Sequence, residues 1–335
     1  MSAPAKTADK TLAAPVTEVV ERFRTSLDPI AAADGTIGIA VSGGPDSLAL
    51  LLLAAAARPG RVEDATVDHG LRPEAAAEAA MVAALCEKLG VPHQILTVEW
   101  AEKPETGLQE RARGKRYALL GKWAEARSLT TLITAHHLDD QAETALMRLM
   151  RGAGVRGLGA MRRLGRAPAG RVPLARPLLG WRRSELEQIC ADAGVAPAED
   201  PSNADQQFER VRIRAALAEA DWLDPVAIAR SARNLADADA ALDWATALVW
   251  RRAVKREGEQ LLFQAKGIPR ELARRVVARA VAKLASEGVG AGLRGREVDR
   301  LLAELAAGRK ATLRGVLCIG GGEQWRFRKA PARAA

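Results

Sequence analysis

The chain has 335 residues, 48% of them hydrophobic, and its 50 Lys and Arg against 41 Asp and Glu give a net charge of +9. That balance excludes a disordered chain and allows two domains with their own cores, while an arginine-led surplus favours a polyanionic partner such as nucleic acid. Cys86, Cys190 and Cys318 lie too far apart for a disulfide framework or a Cys-x-x-Cys cluster, and there is no apolar run of about eighteen residues to span a membrane, so a reducing, cytoplasmic setting fits.

Residues 1–14 carry Lys and Pro without an apolar core and read as a disordered tail, not a secretory signal. Val16, Val19, Val20, Phe23 and Leu27 fall at helical spacing and predict an amphipathic helix. The apolar run 36–41 predicts a buried strand, which turns through Ser42-Gly-Gly-Pro-Asp-Ser47 into a helix opening at Leu48 and ending near Arg58. Strands are expected at 65–69, 93–100 and 131–135, and helices at 74–89, 108–127 and 139–150. This alternation predicts an α/β fold built on a doubly wound parallel sheet, whose ligands gather at the carboxyl ends of the strands.

From Arg151 the pattern changes. Gly152, Gly154, Gly157 and Gly159 interleave with Arg151, Arg156, Arg162 and Arg163 as a flexible basic segment. A helix is expected at 182–193 and a turn at Glu199-Asp-Pro-Ser-Asn203, after which Arg210, Arg212 and Arg214 alternate with Val211 and Ile213. A long helix over 230–256, a strand over 258–264, helices over 269–286 and 295–306, and short strands over 311–327 make a small α+β module. The expected organisation is a catalytic domain over 15–215, a helical linker and small α+β domain over 216–327, and a basic tail over 328–335.

Three stretches carry chemistry. A strand that turns sharply into a helix leaves backbone N–H groups unpaired at the helix N-terminus, and the helix dipole makes that end an anion site. Gly43 and Gly44 let a ligand approach the backbone closely, and Ser42 and Ser47 offer hydroxyls to phosphate oxygens. Asp46 beside a phosphate calls for an intervening cation, with Mg²⁺ the natural candidate; no Gly-Lys-Ser/Thr follows, so this is not a Walker loop. Next, Asp139 and Glu143 are four apart, and Asp140 and Glu143 three apart, on the helix after His136-His137. Carboxylates at those spacings share a face and need a cation or an ammonium group, although acids at a helix N-terminus also stabilise its dipole. Finally, Arg111, Arg113, Lys115 and Arg116 put cations on the helix over 108–127, suited to phosphate or RNA and equally to a solvated face. His69, at the end of the second strand, reads as structural when taken alone.

With these residues in view, Ser42-Gly-Gly-Pro-Asp-Ser47 resembles the pyrophosphatase-loop signature of the N-type ATP pyrophosphatases, which cleave ATP between the α and β phosphates. Within that superfamily the chain resembles the tRNA(Ile)-lysidine synthetases over residues 36 to 215. The resemblance rests on Asp68-His-Gly-Leu-Arg72, Ala112-Arg113 with Arg116-Tyr117, and Ala135-His-His-Leu-Asp-Asp-Gln-Ala-Glu-Thr144. Arg151-Gly-Ala-Gly154, Arg176-Pro-Leu-Leu179, Glu199-Asp-Pro-Ser-Asn203 and Arg210-Val-Arg-Ile-Arg214 follow in the family's order. It departs at Val211, where the family often has Asn between the arginines, and the long helix and one small α+β module are expected after residue 215 without a final β-rich domain. The resemblance implies ATP as substrate, Mg²⁺ held by Asp46, and ligation of L-lysine to the wobble cytidine of a CAU-anticodon tRNA(Ile) through an adenylated cytidine. It implies phosphate binding by Ser42, Gly43, Gly44, Pro45, Asp46 and Ser47, and catalysis by Asp46, Arg113, His136, Asp140 and Glu143. Arg210 to Arg214 would contact the RNA backbone. Oligomeric state is left open, a homodimer included.

Overall fold

A computed structural model describes residues 12–70, 74–100, 107–167, 169–198, 207, 209–285, 293 and 295–331. It divides into two compact units, 1–236 and 237–335.

The first unit opens with α1 (Thr17–Leu27), followed by β1 (Ile37–Val41), α2 (Pro45–Ala57), β2 (Val62–Asp68), α3 (Glu74–Leu89), β3 (His93–Thr97) and α4 (Leu108–Ala126). Then come β4 (Thr131–Ile133), α5 (Leu138–Met150), the short α6 (Val155–Leu158), β5 (Leu164–Arg166) and β6 (Pro173–Ala175). α7 (Arg183–Asp192), α8 (Glu209–Glu219) and the start of α9 (Pro225–Ala253) complete it. Six strands form one sheet in the order β3-β2-β1-β4-β6-β5, parallel except for the β5–β6 hairpin. The doubly wound α/β sheet expected from the alternation is therefore present.

Strand order explains where the site must be. The chain winds from β1 outward to β2 and β3, then crosses back to lay β4 on the other side of β1. Right-handed crossovers in opposite directions place α2 and α3 on one face and α4 on the other. The crevice where the winding reverses, beyond the carboxyl ends of β1 and β4, is where such sheets bind ligands.

Both faces are sealed by apolar packing. Ile37, Ile39 and Val41 of β1 and Ile133 of β4 pack with α1, α2, α3 and α7. Ala65, Leu132 and Leu174 pack on the opposite face against Tyr117, Leu120 and Trp123 of α4. α2 has no solvent side between Leu48 and Leu53, whose side chains are at most 1% exposed. Gly121 in α4 allows a close approach, since a Cβ there would lie 2.8 Å from the Ala169 carbonyl oxygen.

The basic segment after Arg151 is more ordered than its glycines suggest. α6 interrupts it, and the Arg148 guanidinium donates to the carbonyls of Gly157 and Ala160, both at 2.8 Å. Arg210 to Arg214 form a turn of α8, not an extended segment. Among the described residues, no helix is long and apolar enough to cross a membrane.

In the second unit α9 ends at Ala253, and residues assigned to the helix by their sequence form β7 (Val254–Glu257) instead. Gly258, at φ +58°, turns β7 into β8 (Gln260–Gln264), so the helix must stop for the hairpin to form. α10 (Arg270–Leu284), α11 (Gly295–Ala306), β9 (Lys310–Leu313), β10 (Val316–Ile319) and β11 (Gln324–Lys329) follow. The five-stranded antiparallel sheet runs β7-β8-β11-β10-β9. Phe263 and Trp325 meet edge to face at 5.7 Å, in a core shared with Val276, Val277, Leu301 and Phe327. This is the small α+β module expected.

Candidate active site

Ser42 to Ser47 join β1 to α2 as a hydrogen-bonded loop. The Ser42 N–H donates to the Ser47 hydroxyl at 3.1 Å, and that hydroxyl donates to the Gly44 carbonyl at 2.9 Å. Ser47 is thus spent on the shape of the loop, while the Ser42 side chain is exposed. Gly43, at φ +85°, makes the left-handed turn that a side chain would resist, and its carbonyl accepts from the Ala198 N–H at 2.9 Å. Gly44 is the N-cap of α2 and Pro45 its first residue, where a missing N–H costs nothing. Asp46 then lies in the first turn. Its Oδ1 is buried and accepts no hydrogen bond from the protein, and its Oδ2 lies 3.5 Å from His137 Nε2.

His137 ties the loop to the acidic motif. It is the N-cap of α5 and is buried, with Asp46, Asp139 and Asp140 carboxylate oxygens at 3.5, 3.6 and 3.6 Å. Burial opposes a charge on this ring, but the three carboxylates outweigh it and raise its pKa to about 10. The 3.4 Å contact from the Asp140 N–H to Nδ1 would instead require an unprotonated nitrogen. At that length it is the weaker claim, and the imidazolium is favoured.

The three acids separate into two roles. Asp139 accepts from the Arg183 backbone N–H at 2.8 Å and pairs with the Arg182 guanidinium at 3.0 Å. Burial would raise its pKa, but His137, the Arg183 N–H and Arg182 hold it down at about 2. It fastens α5 to the start of α7. Asp140 and Glu143 stay together around Arg210, 3.8 Å from an Asp140 oxygen and 3.2 Å from Glu143 Oε2. Glu143, 1% exposed, also accepts from Arg214 Nε at 2.7 Å, yet its Oε2 receives no aligned hydrogen bond. Of the two spacings that promise a shared face, the three-apart pair converges and the four-apart pair does not.

His136 faces a different environment. Its Nδ1 is 2.9 Å from the Thr134 hydroxyl, and burial followed by the charges of Arg176, Arg116, Arg113 and Arg210 pushes its pKa well below the ordinary value. The ring is neutral and beside a group of arginines. Arg113 and Arg116 lie against the Tyr117 ring at 5.2 and 5.4 Å, which directs both α4 cations to one place. Arg176 is mostly buried, donates to the Arg162 carbonyl at 2.9 Å, and has its pKa lowered by burial.

Sequence reasoning singled out Asp46, Arg113, His136, Asp140 and Glu143, and the fold brings them to one sheet edge. It gave no role to His137 or Arg176. An N-cap position between β4 and α5 was the available signal for the first, and the buried Arg-Pro turn after β6 for the second. Arg210 and Arg214, i and i+4 on α8, share a helix face on Glu143, where alternation along the sequence concealed their common direction. Glu199 to Asn203, and Leu71 and Arg72, lie outside the described residues.

A parallel sheet with a phosphate-type loop after β1 and an acid–histidine motif after β4 defines an ATP-using domain of the PP-loop class, and the PP-loop domain family (ATP_bind_3) matches residues 15–220. In fold alone, the chain is similar to the U34-tRNA thiolase NcsA from Methanococcus maripaludis. That likeness has a TM-score of 0.55 and 17% identity, covering 65% of this chain and 78% of that one. Closer in sequence is the tRNA(Ile)-lysidine synthase of Novosphingobium aromaticivorans, 48% identical over 92% of this chain and 93% of that protein. The tRNA(Ile)-lysidine synthase of Zymomonas mobilis is 44% identical over 89% and 90%. The chain belongs to the tRNA(Ile)-lysidine synthase family.

Proposed function

We infer that this chain uses ATP to join L-lysine to the wobble cytidine of a CAU-anticodon tRNA(Ile). The cytosine carbonyl oxygen takes the adenylyl group of ATP and pyrophosphate leaves; the lysine ε-amine then attacks the activated carbon and AMP leaves. The product reads AUA instead of AUG and is charged with isoleucine instead of methionine. One observation carries the reading beyond the family resemblance: an acidic group of Asp46, Asp140 and Glu143 adjoins a basic group of Arg113, Arg116, Arg176 and Arg210, with Arg210 common to both. A substrate set of polyphosphate, RNA and an alkylammonium group needs those two charges side by side.

Roles follow from the chemistry of each group. Backbone N–H groups at the start of α2 hold the departing pyrophosphate, where the helix dipole favours an anion. The orphaned, buried Asp46 Oδ1 is a hard oxygen donor and suits Mg²⁺, which supplies charge neutralisation for the leaving phosphates. Asp140 and Glu143 bind the lysine ammonium and accept its proton as the amine attacks. Arg113, Arg116 and Arg176 hold the phosphate and the cytidine beside neutral His136, which can accept a hydrogen bond or a proton. Residues 15–215 form the catalytic part. The module up to 327 engages the tRNA, a role supported by exposed Lys310, Arg326 and Arg328 on its sheet.

The test is lysine incorporation into the CAU-anticodon isoleucine transcript with ATP and Mg²⁺, following AMP and pyrophosphate. Methionine tRNAs with the same anticodon are the controls. Lysine entering the isoleucine transcript alone, with one AMP per event, is the expected result. Pyrophosphate release without lysine entry would overturn the acceptor assignment.

A further inference from the structure

At the opposite end of the same sheet lies a second cluster that the ATP chemistry does not use. Asp64 and His93 are register partners on the adjacent parallel strands β2 and β3, and Cys86 reaches them from α3. Asp64 and Cys86 are fully buried, and the His93 side chain is 9% exposed. His93 Nδ1 lies 2.8 Å from Asp64 Oδ2, Cys86 Sγ lies 3.2 Å from the same oxygen, and Sγ and Nδ1 are 3.9 Å apart.

We propose that Asp64, Cys86 and His93 form a binding site for a borderline-soft divalent cation, zinc above all. The distances carry the argument. A triangle with these three sides has a circumradius of about 2.0 Å. A cation slightly out of its plane then meets all three atoms at the roughly 2.0–2.3 Å of zinc bonds to oxygen, nitrogen and sulfur. The donor set selects the ion, because a thiolate with an imidazole disfavours Mg²⁺ and Ca²⁺ and suits zinc. Charge also closes, since a carboxylate, a thiolate and a neutral imidazole cancel a divalent ion, and the fourth position is left to water from the adjoining cavity.

Two further features support it. Asp64 Oδ2 accepts hydrogen bonds from both the thiol and the imidazole, but Asp64 Oδ1 and His93 Nε2 are buried without a partner, so the three groups do not form a closed network. A cavity of about 200 Å³ lined by Asp64, Pro92, His93 and Gln94 opens beside it and offers a route in. Without a cation, burial and the Asp64 carboxylate push the Cys86 thiol far above its ordinary range, which leaves it inert as a nucleophile. On binding, the thiol proton leaves to solvent and the imidazole proton moves from Nδ1 to Nε2, toward the cavity. Zinc there would clamp α3 onto β2 and β3, away from the loop at the carboxyl end of β1.

The test is cobalt titration of the full, metal-stripped chain. A thiolate-to-cobalt charge-transfer band with four-coordinate visible absorption should saturate at about one cobalt per chain and bleach on adding zinc but not excess Mg²⁺. Cys86→Ser and His93→Ala should abolish the band, and Cys190→Ser and Cys318→Ser should keep it. Zinc should also raise the Tm of the unmutated chain. No band and no Tm shift in the unmutated chain would overturn the site even if the variants fail to fold, as would a band that survives Cys86→Ser. Pyrophosphate release by folded Cys86→Ser should persist, separating this test from that of the ATP reaction.

Discussion

Each unit holds a cluster of ion pairs around a buried charge, Glu143 in the first and Arg275 in the second, and the two are built differently. In the second unit Arg275, with a side chain 7% exposed, meets Asp239 at 2.6 Å and Asp243 and Glu271 at 2.8 Å, all as aligned hydrogen bonds. A fork of donors meets a matching set of acceptors, so the cluster is complete as it stands. In the first unit the buried Glu143 lies near Arg210 and Arg214, and the half-buried Asp46 near His137, but one oxygen of each receives no hydrogen bond. Buried polar groups left without an aligned hydrogen bond are costly, and such oxygens are open to a ligand in a way that the Arg275 cluster is not. The one cluster is closed by its own residues, and the other leaves oxygens open.

That contrast can be broken by substitution. Asp46→Asn keeps the shape and removes the charge. ATP-dependent pyrophosphate release should fall about 1,000-fold, roughly 4 kcal/mol in the barrier, while thermal unfolding stays within a degree or two. Near-normal release would remove Asp46 from the phosphate site. Asp239→Ala should do the reverse: the second unit loses about 3 kcal/mol in denaturant unfolding because Arg275 is left short of its most buried partner. Unfolding unchanged within error would show that Asp243 and Glu271 suffice.

Glu143→Gln sharpens the comparison by dividing the two chemical steps. Lysine transfer should slow about 100-fold while adenylation, read as pyrophosphate release in a single turnover, changes by less than about fivefold. Equal loss in both steps would make Glu143 a support for Arg210 and Arg214. A separate test concerns pH. His137 has a folded pKa near 10, above its ordinary 6.5, so its contribution to stability is full below about pH 6.5 and is lost as pH rises toward 10. Stability should therefore decline more steeply between pH 7 and 10 in the unmutated chain than in His137→Gln, and parallel profiles would contradict the charged ring.

Much of this was legible in the sequence where one pattern ran long enough to decide. The helix over 74–89 and the strand–loop–helix around Ser42 to Ser47 are written in local periodicity and glycine placement, and the structure has them there. Three-residue strands such as β5 and β6 carry too little pattern to be seen, since their pairing is decided by partners far along the chain. The same limit hid the division among the acids. Asp139 looks equivalent to Asp140 on the helix, and the Arg183 backbone, 44 residues on, with the Arg182 guanidinium beside it, draws it aside. The Asp64, Cys86 and His93 group has no motif spacing, because strand register brings two of its members together.

α2 has a consequence of its own. Most helices in a small domain keep a wet side where a residue can be exchanged at little cost, but from Leu48 to Leu53 this one has none. Any polar residue introduced there meets the core whichever way it points, so tolerance is governed by hydropathy alone and not by position. The loop at its head inherits that stiffness. Changes in the hydrocarbon behind Ser47 should reach the loop from Ser42 to Ser47 as a loss of aim well before they appear as a loss of fold.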